Sequence, residues 1–203
     1  SIGYIQIPSF KGTDPDRSLK FTSLIQSSIK EIDALNIEYW IVDLASDSGG
    51  YVWPMMAGLA PLLGNGIRGY TVDADSNYCD WRIDKGSVFF KGKQRIELQN
   101  SYTLKNRIKK IAVIISDKTA SAGEAIAISF KGADNVYFIG SSTYGVSTGT
   151  TGYELSDGAI IYVVTTKFAD RNKNIFGASV EPDIEASDME AVQKAVEWIG
   201  GEE

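Results

Sequence analysis

Apolar and polar residues alternate across IGYIQIP (2–8), and a near-continuous apolar run follows at YWIVDL (39–44). The first pattern predicts a strand closed by Pro8, and the second a strand buried on both faces. Between them Leu19, Leu24, Ile25, Ile29, Ile32 and Leu35 recur near helical spacing over 14–36, with Pro15 in the first turn. Residues 51–63 predict another helix, ended at Gly64. Short segments at 68–74, 79–83 and 87–92, separated by Asp, Asn and Gly, predict strands that leave the main layer. That layer resumes with a strand at 109–116, a helix at 121–132 and a strand at 135–140. Segments 151–155 and 158–168 flank the turn SDG and suit a hairpin. A last helix covers 187–199, where Ser187 and Glu190 form a capping-box pattern and Gly200 is the stop. Strands alternating with helices, with no internal repeat or linker, predict one α/β domain over residues 1–203.

Composition narrows the chemistry. The 203 residues are 43% hydrophobic, enough to bury a core without staples. A formal charge of −6 repels a phosphate backbone, and the lone basic cluster KNRIKK (105–110) comes with no aromatic platform, so no nucleic-acid partner is expected. Cys79 stands alone, which excludes an intrachain disulfide and a Cys-rich metal site. Histidine is absent, and with it the commonest zinc ligand and the commonest neutral-pH base. Neither metal nor cofactor is expected. No run approaches the roughly 20 apolar residues of a membrane span. The chain opens inside a strand with no initiator Met, and so reads as a piece of a longer protein.

Two strand ends draw attention. The strand at 39–44 runs into DSGG, where Gly49 and Gly50 permit a turn without a Cβ penalty and leave backbone N–H groups open to an incoming oxygen. A plain tight turn is the commoner reason for such a pair. The strand at 109–116 runs into DKTASAGE, which sets Ser121 at the mouth of a helix. That serine is either an ordinary N-cap or an acyl nucleophile beside unpaired amides. Sites in open α/β sheets gather outside the carboxyl ends of strands, so two such ends side by side would bring the glycine amides to Ser121.

The segment IVDLASDSGGYVWPMMAGLAPLLGNG (41–66) resembles the DLR-x-N-x-GG segment of the C-terminal processing (tail-specific) serine proteases, and TASAGEAIAISFKG (119–132) resembles their nucleophile segment. IGSSTYG (139–145), LSDGAIIYVVTTKF (155–168) and GASVEPDI (177–184) follow in the family's order, so the resemblance covers residues 2–199. WPMMAGLAPLLGNG (53–66) and FKGADNVYFIG (130–140) are closest to the branch holding the nisin resistance protein and the tricorn core protease.

The resemblance implies a ClpP/crotonase-like spiral of strands and helices and a protease catalytic core acting on polypeptides near their C-termini. It makes Ser121 the nucleophile and assigns the oxyanion hole to the Ala122 N–H with an amide of Gly49 or Gly50. Glu124 matches the family's acidic residue; it orients the base, braces the loop, or simply starts the helix. Substrate would bind as an added strand. Two departures stand out. Val146 occupies the stretch after TYG where serine–lysine members carry their lysine, and Ala45 replaces the arginine after DL. The branch with a histidine base supplies it from an upstream segment, which this chain lacks; Lys118 and Lys167 are the substitutes within it. The branch is usually exported, and any membrane anchor would also lie upstream. A non-catalytic peptide-binding module on the same fold is the alternative. A crotonase-type acyl-CoA enzyme would share the two-amide hole, but no basic, aromatic nucleotide pocket is marked.

Overall fold

A computed structural model describes residues 1–201. Along the chain run β1 (Ile2–Gln6), α1 (Pro15–Asp33), β2 (Tyr39–Asp43), α2 (Val52–Gly58), α3 (Ala60–Leu63), β3 (Gly66–Asp73), β4 (Tyr78–Asp84), β5 (Ser87–Phe90) and β6 (Lys93–Ile96). Then come β7 (Lys110–Ile115), α4 (Ala122–Phe130), β8 (Val136–Gly140), β9 (Thr148–Glu154), β10 (Ile160–Asp170), β11 (Ile175–Phe176), β12 (Ile184–Glu185) and α5 (Ala191–Gly200).

The near-continuous apolar strands β2 and β7 lie inside a parallel five-stranded sheet in the order β1-β2-β7-β8-β12. Both its faces are covered, as parallel strands require. On one side Ile41, Ala112 and Ile114 pack with Ala191, Ala195 and Ile199 of α5. On the other, Trp40, Val42 and Val113 join the main core with α1, α2, α3 and α4. The strands expected to leave this layer build an antiparallel sheet, β11-β10-β3-β4-β5-β6, and β9 pairs with β10. The hairpin segments therefore belong to this second sheet rather than to the main layer: β10 pairs with β3 through Thr166–Asp170.

Three local expectations need correction. The helix expected at 51–63 is broken at Leu59, because Pro61 has no N–H to give the carbonyl four residues back. That carbonyl, of Ala57, accepts the Gln26 side-chain amide at 2.8 Å instead. The last helix begins at Ala191 rather than at Ser187; the Ser187–Glu190 side-chain bond forms, but it closes the turn ahead of the helix. On α1 the buried stripe is Ser18, Thr22, Ile25, Gln26, Ile29 and Asp33, while Leu19 and Leu24 on the helix and Leu35 just past its end are exposed. The polar members of that stripe are buried because they have partners: Thr22 bonds the Pro54 carbonyl, and Asp33 accepts the Tyr102 hydroxyl and the Lys105 N–H.

Candidate active site

β2 and β7 are neighbours in register, so the loops that leave their carboxyl ends lie side by side. Three cross-links sew these loops together. The Thr119 hydroxyl donates to the Leu44 carbonyl at 2.9 Å, the Ser116 hydroxyl to the Ala45 carbonyl at 2.6 Å, and the Ala120 N–H to the Asp47 carbonyl at 3.0 Å. Ser116, Thr119 and Asp47 are fully buried. None was singled out from sequence, although hydroxyl and carboxylate side chains just past strand ends carry that signal by bonding nearby backbone.

Ser121 sits between the loop after β7 and α4 with φ 53° and ψ −109°. An N-cap residue ordinarily has extended backbone, and a non-glycine residue at positive φ is strained. Such strain is held only where the surroundings over-determine it, and here they do. The Ser121 N–H donates to Glu124 Oε2 at 2.8 Å, and its carbonyl accepts the Ala125 N–H at 2.9 Å. The packing leaves no room for a side chain opposite: a Cβ on Gly49 would lie 2.7 Å from the Ala120 carbonyl oxygen and 3.0 Å from the Ser121 Cβ.

Glu124 is fully buried and its carboxylate receives four hydrogen bonds. Oε2 takes the N–H groups of Ser121 and Val146, at 2.8 and 3.0 Å, and Oε1 takes the Thr143 hydroxyl and the Gly145 N–H, at 2.6 and 3.0 Å. Its contact is thus with the backbone of Ser121, and it ties that residue to the 143–146 loop. Thr143, also buried, passes the connection to the Val180 N–H.

The two glycines divide their work. The Gly49 N–H is used by Asp47 Oδ1 at 3.0 Å. Among the described residues neither the Gly50 N–H nor the Ala122 N–H has a protein acceptor, and both residues line a cleft of about 360 Å³ together with Ser121. Apolar side chains floor the cleft: Val52, Trp53, Met56, Trp81, Phe90 and Phe168. Threonines of β9 and β10 form its far wall. Two backbone donors without a protein acceptor thus lie on residues that share the cleft with Ser121.

The candidate bases fare differently. Lys118 is at the surface, paired at 2.8 Å with Asp188, which raises its pKa and so moves it further from base duty. Lys167 is on β10, beside Gly177, and does not line the cleft. Lys91, a residue not singled out from sequence, is the lone amine among the cleft's lining residues. Val146 offers no basic group; its N–H donates to Glu124 and its carbonyl accepts the Thr148 N–H. Cys79 is a free thiol on β4.

Comparison with known proteins bears on the family and the fold. The model of peptidase family S41 matches residues 1–186. The chain is 32% identical over 198 residues to the nisin-resistance protein of Lactococcus lactis subsp. lactis, covering 96% of this chain and 59% of that one. It is 24% identical over 187 residues to the carboxy-terminal processing protease CtpA of Bacillus subtilis, covering 92% of this chain and 35% of the relative. It therefore spans less than two thirds of the length of either. Among solved structures, a lipoprotein from Streptococcus agalactiae superposes with TM-score 0.78 at 28% identity over 97% of this chain and 65% of that chain. The photosystem II D1 C-terminal processing protease superposes with TM-score 0.66 at 20% identity, over 95% of this chain and 46% of that chain, a likeness of fold. Matched by that family's model over residues 1–186, the chain belongs to peptidase family S41 and has the ClpP-like fold of those serine-type peptidases.

Proposed function

We propose that this chain is the catalytic core of a serine endopeptidase that cleaves polypeptides near their C-termini, with Ser121 as nucleophile. The observation that carries the reading is the strained backbone of Ser121 at the head of α4, beside two amides with no protein acceptor. Ser121 Oγ adds to the scissile carbonyl carbon while its proton passes to a general base. The oxyanion is held by the N–H groups of Ala122 and Gly50. Collapse expels the amine, which takes that proton, and water then releases the acyl group from the serine. Glu124 acts by position: it fixes the Ser121 amide and the facing loop.

The general base is a histidine from an upstream segment of the complete protein. This follows the resemblance to the branch that uses a histidine base; the chain itself has none, and it spans 59% of the nisin-resistance protein, which leaves room for a further segment. The apolar floor of the cleft suits an apolar substrate side chain next to the scissile bond. Among the described residues the outer edge of β9 is unpaired, and its threonines border the cleft, which suits a substrate that adds as a strand. Likeness to a streptococcal lipoprotein supports an exported protein, anchored through residues outside this chain; no helix among the described residues is long and apolar enough to cross a membrane.

The test is active-site labelling of the complete protein with a fluorophosphonate, followed by peptide mapping. The label is expected on Ser121, and absent from a folded Ser121→Ala protein that still binds peptide. A folded, proteolytically active Ser121→Ala protein would return Ser121 to the role of a helix cap and favour a different nucleophile.

A further inference from the structure

Asp47 is fully buried, yet only one of its carboxylate oxygens is hydrogen-bonded. Oδ1 accepts the Gly49 N–H at 3.0 Å, and Oδ2 has no partner. A buried, half-satisfied carboxylate is costly and calls for a reason. The main chain of the same residue reaches the serine loop, its carbonyl accepting the Ala120 N–H at 3.0 Å. The head of α4 closes over it: a Cβ on Gly123 would fall 2.3 Å from the Asp47 carbonyl oxygen and 3.1 Å from its Cγ. One residue thus grips the glycine turn by its side chain and the nucleophile's loop by its backbone.

We infer that Asp47 is a positioning residue of the oxyanion hole, binding the Gly49 N–H so that the Gly50 N–H is the one presented beside Ser121. The inference rests on the reading of Ser121 as nucleophile. It also gives the carboxyl a pH-dependent duty. Burial raises Asp47 to about 6, while the Gly49 N–H and the nearby Ser9 hydroxyl pull less strongly the other way. Among the described residues no charged side chain is bonded to it. The ionisable groups on the elements around it are Lys11 after β1, Asp117 and Lys118 on the serine loop, and Glu124 on α4. Of these, Lys118 is engaged with Asp188 and Glu124 with the 143–146 loop. A charged carboxylate holds an N–H about twice as strongly as a neutral acceptor. Protonation therefore loosens the grip on Gly49, and the hole with it.

The experiment uses the complete protein, a fluorogenic peptide with an apolar residue before the scissile bond, and the variants Asp47→Asn and Asp47→Ala. In Asp47→Ala, kcat is expected to fall about 10²-fold with KM changed less than threefold, since a loosened donor is felt in the transition state. Asp47→Asn keeps an oxygen for the Gly49 N–H and should recover most of that loss. Its kcat should also fall less steeply than wild type as pH drops through 6, because the Asp47 step is gone while any step of the base is common to both. Superimposable pH profiles of wild type and Asp47→Asn overturn the inference even where Asp47→Ala fails to fold. So does a folded Asp47→Ala protein with wild-type kcat, or equal impairment of both variants. A wild-type protein whose Ser121 resists fluorophosphonate overturns the nucleophile reading and this inference together; labelled Ser121 with an indifferent Asp47 overturns this inference alone.

Discussion

The serine corner and the β9–β10 ribbon face each other across one cleft and are built on opposite rules. At the corner, Glu124, Thr119 and Ser116 are buried with their polar atoms bonded, and Ser121 is locked in a backbone conformation it would not choose alone. In the ribbon, Tyr153, Leu155 and Ile160 through Val164 are all exposed, and residues 160–164 pair with β9 alone. The corner has many constraints and little freedom; the ribbon has one partner strand and two open faces. Chemistry needs the first arrangement, because a reacting oxygen must be held within fractions of an ångström of its amides. Admitting an extended chain needs the second, because an open edge is what an incoming strand pairs with.

The largest break in this contrast is expected at Glu124. Glu124→Ala strands four donors in a buried site, so it should lower stability on the order of 3–5 kcal/mol, by the usual cost of unpairing a buried charge network. In the fraction that stays folded, kcat of the complete protein should drop about 10²-fold, since the Ser121 amide is then unheld. Urea unfolding and assay below both transitions separate the two effects. A Glu124→Ala protein as stable as wild type would show that the corner is not held as its hydrogen bonds imply.

Gly50 comes next. Its φ is +121°, and a Cβ there would lie 2.1 Å from the Phe10 carbonyl oxygen, so alanine must push the turn aside. Gly50→Ala should cost about 10²–10³ in kcat, the range for losing one oxyanion donor, with KM little changed. Full activity in a folded Gly50→Ala protein would transfer the donor role to another amide and weaken the division of labour between the two glycines.

Parts of both regions were legible in the sequence. β2, β7 and α4 are apolar enough that no competing pattern exists, and the Gly-Gly turn and the serine at the helix mouth mark the ends that converge. The proposed choice of Gly50 over Gly49 was not legible, because it depends on Asp47 taking the Gly49 N–H by a contact within the folded turn. Glu124 carried a helix-start signal, but three of its four donors are 19 to 22 residues away, beyond any local pattern. The buried stripe of α1 was missed in part because hydropathy ranks Thr22, Gln26 and Asp33 as outward residues, whereas their partners arrive from Pro54, Ala57 and the 102–105 segment. β11 and β12 have two residues each, too short to leave a period. The strands of the ribbon were readable and their sheet was not, since pairing with β3 is set by a contact nearly 100 residues distant.

The smallest effect is expected in the ribbon itself. Substitutions such as Ile161→Ser and Val163→Ser, at positions 48% and 44% exposed, should change the stability of this chain by less than about 0.5 kcal/mol, because little area leaves water there on folding. Amide exchange should be fast across 150–163, where hydrogen bonds run to a single partner strand, and slow across β7, which lies inside the parallel sheet with a neighbour on each side. Adding peptide to the complete Ser121→Ala protein should slow exchange on β9 first, at the unpaired edge beside the cleft, and leave β7 unchanged. Slow exchange in the free ribbon would mean that the two regions do not differ in local stability. Protection gained elsewhere than β9 would move the substrate to another edge, with the serine corner still intact.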